Sequence, residues 1–253
     1  MKPGLVSVTF RQLPPEEIIA LCREAGLAGI EWGGDIHVPH GDLAAAQKVG
    51  ELTRAAGLSV VAYGSYFRLA SDKSPAFSDV LASAKALGAP VIRIWAGQRG
   101  SADADEAYWR DLIAEALRCA DLAGAEQITL AYEFHGGTLT DTLPSALRLL
   151  EATRHPFIRS LWQPPVGFTA AQALDTLRQI LPWLQHAHVF HWWPDASSRH
   201  PLAAGADRWT AYLQEIRRLR PDADLLLEFV REGDPGAFLE DAATLRRLCR
   251  DAA

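Results

Sequence analysis

Acidic and imidazole side chains placed at the ends of apolar runs are the residues in this chain best suited to chemistry. Residues 128–132, Ile-Thr-Leu-Ala-Tyr, form an apolar run that delivers Glu133, then Phe134 and His135, and stops at Gly136-Gly137. An ionised Glu is rarely buried alone, so one that closes an apolar strand pairs with a cation, holds a metal or faces a wet cleft. Residues 224–230 repeat the design, with Glu228 behind Leu225-Leu226-Leu227 and a glycine-containing loop after it. Two strands built alike point to one shared site. The alternative is that each Glu only pairs with a nearby Arg.

Other strand ends add donors. Gln163 follows Trp162 and precedes Pro164-Pro165, and prolines end a ladder because they lack the N–H. His188 lies inside residues 186–191, with His191 and Trp192 just beyond. Glu133, Gln163, His188 and Glu228, from four consecutive strands, make an oxygen-and-imidazole set suited to Mn²⁺, Mg²⁺, Co²⁺ or Zn²⁺. The competing expectation is that hydrogen bonds satisfy each of them separately. His37 and His40, in the loop after the second strand, are placed to bond substrate hydroxyls. Arg93, inside an apolar strand, needs an anion, which is Glu31, Glu133 or a charged substrate group. Trp32, Trp95, Trp162 and Trp192 or Trp193 sit at strand ends, where an indole suits the apolar face of a sugar, and His135 and His191 complete the substrate-facing group. Lys2, Lys48, Lys73 and Lys85 all lie away from strand ends, which excludes Schiff-base chemistry.

The elements that must position these side chains alternate strand and helix from end to end. Strands are expected over residues 5–10, 29–32, 58–63, 90–95, 128–132, 158–162, 186–191 and 224–230, each followed by a helical stretch. Eight such units in 253 residues predict an α/β fold, a single (β/α)8 barrel over residues 1–253, with its site at the C-terminal ends of the strands. A doubly wound sheet would place a glycine-rich loop after its first strand, and residues 9–13 contain no glycine. A net charge of -6 argues against nucleic acid as a partner, and no apolar run is long enough for a membrane helix. Cys22, Cys119 and Cys249 are isolated, which fits a cytoplasmic protein without a disulfide framework.

The motifs resemble the xylose-isomerase-like TIM barrels, a group of sugar isomerases and epimerases that includes inosose dehydratase, hydroxypyruvate isomerase and endonuclease IV types. The resemblance spans essentially the whole chain. It rests on Glu-Trp-Gly-Gly-Asp-Ile-His-Val from Glu31, Val-Ile-Arg-Ile-Trp-Ala-Gly around Arg93, Tyr-Glu-Phe-His-Gly-Gly around Glu133, and on His188 and Glu228. It implies a divalent cation, Mn²⁺ by preference, on Glu133, Gln163, His188 and Glu228. It also implies a small sugar or polyol substrate, isomerised or epimerised through an enediolate with the two glutamates as bases. A lyase or hydrolase of the same group, or a sugar-binding barrel without catalysis, are the alternatives. Gln163 departs from the Asp usual in relatives, which removes one negative charge from the site and weakens the hold on a cation.

Overall fold

A computed structural model describes residues 1–251. Eight parallel strands, each followed by a helix, run in the order β1 (Lys2–Val6), α1 (Pro15–Glu24), β2 (Gly29–Gly33), α2 (Leu43–Ala55), β3 (Ser59–Arg68), α3 (Phe77–Leu87), β4 (Val91–Trp95), α4 (Glu106–Ala125), β5 (Thr129–Tyr132), α5 (Leu143–Ala152), β6 (Ile158–Trp162), α6 (Ala170–Ile180), β7 (Leu184–Val189), α7 (Ala206–Leu219), β8 (Asp224–Leu227) and α8 (Pro235–Asp251). The strands are hydrogen-bonded in sequence order and close into a barrel, the (β/α)8 architecture expected from the alternation. No helix among the described residues is long and apolar enough to cross a membrane.

Contacts group the chain into two compact units. One holds the segment Met1–Trp32, the segment Leu52–Ser59 and the chain from Trp162 onward. In it β1 pairs with β2 and β8, with Leu5 opposite both Ile30 and Leu227, and β7 pairs with β8, with His188 opposite Leu226. Gly4 is required there: a Cβ would lie 2.6 Å from the Gly29 carbonyl oxygen and from a Leu226 methyl. Outside the strands, Phe10 meets Phe238 edge to face at 5.4 Å. The other unit holds Gly33–Glu51 and Val60–Leu161. Its strands β3, β4 and β5 pair in order, with Arg93 opposite Gly64 and Ala131.

Four strands differ from expectation; the seventh lies two residues earlier, over Leu184–Val189. The first is already a 3-10 turn over Ser7–Phe10. The eighth stops at Leu227, because Phe229 turns to φ +48°. The third runs on to Arg68 instead of ending at Tyr63. Its register shifts between Gly64 and Phe67, and the Ser65 hydroxyl bridges the break by donating to the Arg93 carbonyl at 2.6 Å and accepting from the Phe67 N–H at 3.2 Å.

The long loop after β7 is fastened by Asp241 of α8, whose carboxylate accepts the Leu202 N–H at 2.7 Å. Burial pushes the Asp241 carboxyl up to about 6, against the opposing pull of that hydrogen bond. Ionising it therefore costs more in the folded than in the unfolded chain, so stability falls as pH rises from about 4 to about 6 and stays lower above. Asp241→Asn keeps the acceptor and removes the charge. Thermal melting should rise relative to wild type at pH 8, and the gain should vanish below pH 4.

Candidate active site and metal centre

His186 and His188 are two residues apart on β7, so both side chains leave the same side of the strand. Glu31, near the end of β2, is wholly buried, and its Oε2 accepts from His186 Nε2 at 3.0 Å and His188 Nε2 at 3.4 Å. The donor atoms of Glu31, His186 and His188 lie within 4.8 Å of one another. Burial pushes the His186 imidazole below its ordinary value against the pull of Glu31, so it is neutral, with its proton on Nε2 and no partner for Nδ1.

The other nitrogen of His188 faces different company. Its Nδ1 is 3.3 Å from Gln163 Oε1 and 3.5 Å from Glu228 Oε2. Donors held about 2.2 Å from one ion stand about 3.1 Å apart across an octahedral edge and about 3.6 Å apart across a tetrahedral one. The amide oxygen, imidazole nitrogen and carboxylate oxygen therefore fit a divalent cation with little movement. Glu31 behind Nε2 is the outer carboxylate that commonly orients a metal-binding histidine. Without a metal a proton serves as the cation: burial opposes a charge on His188, but the carboxylates of Glu228 and Glu31 outweigh it and raise the imidazole to about 10.

Glu228 is aimed by its own backbone. Its N–H still donates to the Val189 carbonyl at 3.1 Å, and the next residue, Phe229, is forced into the left-handed region. The Phe229 N–H donates to Thr9 Oγ1 at 3.0 Å, and its carbonyl accepts the Trp192 indole N–H at 3.4 Å. Trp192 is half-buried and stacks on Phe190 at 4.0 Å.

In the second unit Glu133 is buried, and its Oε2 accepts from both the Arg93 guanidinium and the Trp95 indole N–H. The anion that Arg93 needs is thus Glu133. His135 stacks on Trp95 at 4.5 Å, with its Nδ1 2.7 Å from the Gly136 carbonyl. Only N–H···O is possible there, which leaves His135 Nε2 as an acceptor in the neutral ring. Arg68, the last residue of β3, lies 3.7 Å from the centre of the Trp95 ring. His37 is buried in the loop after β2. His40 Nδ1 meets the Tyr63 hydroxyl at 2.7 Å, and that hydroxyl donates to the Val38 carbonyl at 2.8 Å.

Two expected substrate contacts, Trp32 and Trp162, are corrected. Trp32 is fully buried and donates its indole N–H to Thr53 at 3.1 Å. Trp162 is fully buried, donates its indole N–H to Thr176 of α6 at 3.0 Å and packs edge-on against Trp209 and Tyr212 of α7, so it cements strand to helices. His191 packs on Gly205, where a Cβ would lie 2.6 Å from its ring, in a crevice lined by Pro164, Phe168 and Arg208. Two residues left out of the expected site, Glu31 and His186, are part of its buried support, and the signal for His186 was its two-residue spacing from His188.

The xylose isomerase-like TIM barrel family model matches residues 19–248. The chain belongs to this family. Over 103 residues it is 33% identical to a 3-dehydroshikimate dehydratase of Bacillus anthracis, a match that takes in 38% of this chain and only 35% of that protein. The crystal structure of the probable 3-DHS dehydratase AsbF from Bacillus anthracis superposes with a TM-score of 0.83 over 97% of this chain and 99% of that one, at 22% identity. A family member from Mycobacterium smegmatis in complex with magnesium superposes with a TM-score of 0.77 at 14% identity, covering 100% of this chain and 98% of its own. At such identities these two structures speak for the fold.

The raised His188 value sets a pH dependence in the metal-free protein. Its contribution to stability is fully present below about pH 6.5 and is lost as pH rises toward about 10. Denaturant melts of chelator-treated protein should show this decline, and His188→Gln should flatten it. An unchanged slope in the variant would contradict the assignment.

Proposed function

We propose that this family member is a metal-dependent lyase that removes a proton beside the carbonyl of a small polyhydroxylated molecule and expels a neighbouring hydroxyl as water. A divalent cation, Mn²⁺ by preference, sits on Gln163, His188 and Glu228. The strand order supports this set, since β6, β7 and β8 are consecutive in the barrel and each donor lies at or near the C-terminal end of its strand. When bound, the cation polarises the substrate carbonyl and stabilises negative charge on its oxygen. His37, His40, Arg93, Trp95, His191 and Trp192 bind the substrate.

The observation that carries the reaction is His135. Its Nδ1–H is tied to the Gly136 carbonyl, so Nε2 presents a free lone pair, and the ring is half-exposed beside Trp95. The C–H bond breaks toward that nitrogen and its electron pair forms the carbon–carbon double bond. The carbon–oxygen bond on the next carbon breaks, and the leaving hydroxyl takes back the proton that His135 received and departs as water, which returns His135 to its neutral form. Epimerisation would need bases on both faces of the substrate. Glu133 is a poor second base because its Oε2 is committed to two donors. Glu228 remains as the side chain that can hold the cation and share a proton. Isomerisation begins with the same proton removal and differs in returning the proton to a neighbouring carbon. The dehydratase similarity over 103 residues supports elimination over isomerisation. Free, isolated cysteines fit action in the cytoplasm.

The test is to incubate the protein and Mn²⁺ with 3-dehydroshikimate or with a ketohexose, and to follow both by NMR. Loss of water from the first and no change in the second is expected. A new sugar from the ketohexose with no dehydration would overturn elimination. His135→Asn should lower turnover about 10²- to 10⁴-fold with Mn²⁺ affinity unchanged. Glu228→Gln should weaken Mn²⁺ binding and nearly abolish turnover, and Gln163→Asp should tighten Mn²⁺ binding in a calorimetric titration.

A further inference from the structure

Two guanidinium groups of the second unit approach Trp95 and Glu133 from β3 and β4, and they are placed very differently. Arg93 is 2% exposed, donates to Glu133 and lies under the Tyr66 ring at 4.9 Å. Arg68 is half-exposed. It rests on the Trp95 face at 3.7 Å and gives one donor to the Gly97 carbonyl at 3.3 Å. Among the described residues Arg68 makes no ion pair. A guanidinium carries five N–H donors, so most of those on Arg68 are left for solvent or a ligand.

The backbone is bent to put it there. Tyr66 takes φ +54°, a conformation costly for a residue with an aromatic side chain, within the register shift in β3. Tyr66 then meets Trp95 edge to face at 5.3 Å, and Arg68 lands on the same indole that supports His135. One indole thus carries both the free imidazole nitrogen and the free guanidinium edge, which places an anion-recognising group beside the proton-removing one.

We propose that Arg68 binds a carboxylate on the substrate, so that the molecule taken up is a small polyhydroxylated acid and not a neutral sugar. This assignment rests on the proposed site at His135 and Trp95, but not on the elimination itself. A planar fork matches a carboxylate in a two-point contact, and stacking on Trp95 holds the fork in one orientation before the ligand arrives. The single guanidinium suits a singly charged group better than a phosphate, which would call for further donors.

Titration calorimetry on the full chain with saturating Mn²⁺ tests it with three probes: shikimate, its primary amide and glycerol 3-phosphate. Wild type should bind shikimate about 10- to 100-fold more tightly than the amide. Arg68→Gln should erase that preference by weakening shikimate alone, with Mn²⁺ affinity and the far-ultraviolet spectrum unchanged. Arg68→Lys should recover only part of it. A preference that survives Arg68→Gln, a stronger response to the phosphate than to shikimate, or no binding of shikimate by wild type would overturn the proposal. Arg68-dependent binding of shikimate in a protein that dehydrates nothing would retire the elimination reading and leave the carboxylate assignment standing.

Discussion

One buried carboxylate, Glu31, determines how the candidate metal centre is oriented. Its Oε2 accepts from His186 and His188 at 3.0 and 3.4 Å, and an ionised side chain without those partners would be too costly to bury at 0% exposure. Holding Nε2 of His188 on Glu31 leaves Nδ1 as the nitrogen that faces Gln163 and Glu228. His186 has no contact of its own with those ligands. Burial keeps it neutral, so it supplies a hydrogen bond to Glu31 without bringing a second positive charge next to a cation site. The price of this support is the unpartnered Nδ1 of His186.

Around that core the backbone departs from ideal strand geometry where a side chain must be aimed. Phe229, directly after Glu228, and Tyr66, two residues before Arg68, both have positive φ. Such residues each cost about 1–3 kcal/mol and persist only where the surroundings fix them. Here the fixing contacts are visible: Thr9 and Trp192 grip the Phe229 backbone, and the Ser65 hydroxyl completes the broken ladder before Tyr66. Strain of this kind is concentrated where strands end and loops begin, the part of a barrel where substrates meet the protein.

The barrel was legible in the sequence because strand and helix periods alternate and glycine or proline punctuates most of the boundaries. The positions of Glu133, Gln163, His188 and Glu228 at strand ends were legible for the same reason. Trp162 was misread because nearness to a strand end was given more weight than parity. Neighbouring residues on a strand point to opposite sides, so if Gln163 turns toward His188, Trp162 must turn toward α6 and α7. The same rule, applied to Glu31 beside Trp32, would have found the buried support, since the Trp32 indole points outward to Thr53 of α2 at 3.1 Å. Arg68 was missed because Gly64 looked like the end of a strand, and a serine hydroxyl replacing a ladder bond leaves no periodic signal.

The orientation of His188 is the claim on which the metal site stands, and nitrogen NMR of the imidazole reads it directly. In metal-free protein at pH 7 both ring nitrogens should carry protons, as an imidazole raised to about 10 requires. Addition of diamagnetic Zn²⁺ should remove the proton from Nδ1 and shift that nitrogen, while Nε2 keeps its proton and its bond to Glu31. Loss of the Nε2 proton, or no change at either nitrogen, would contradict the account.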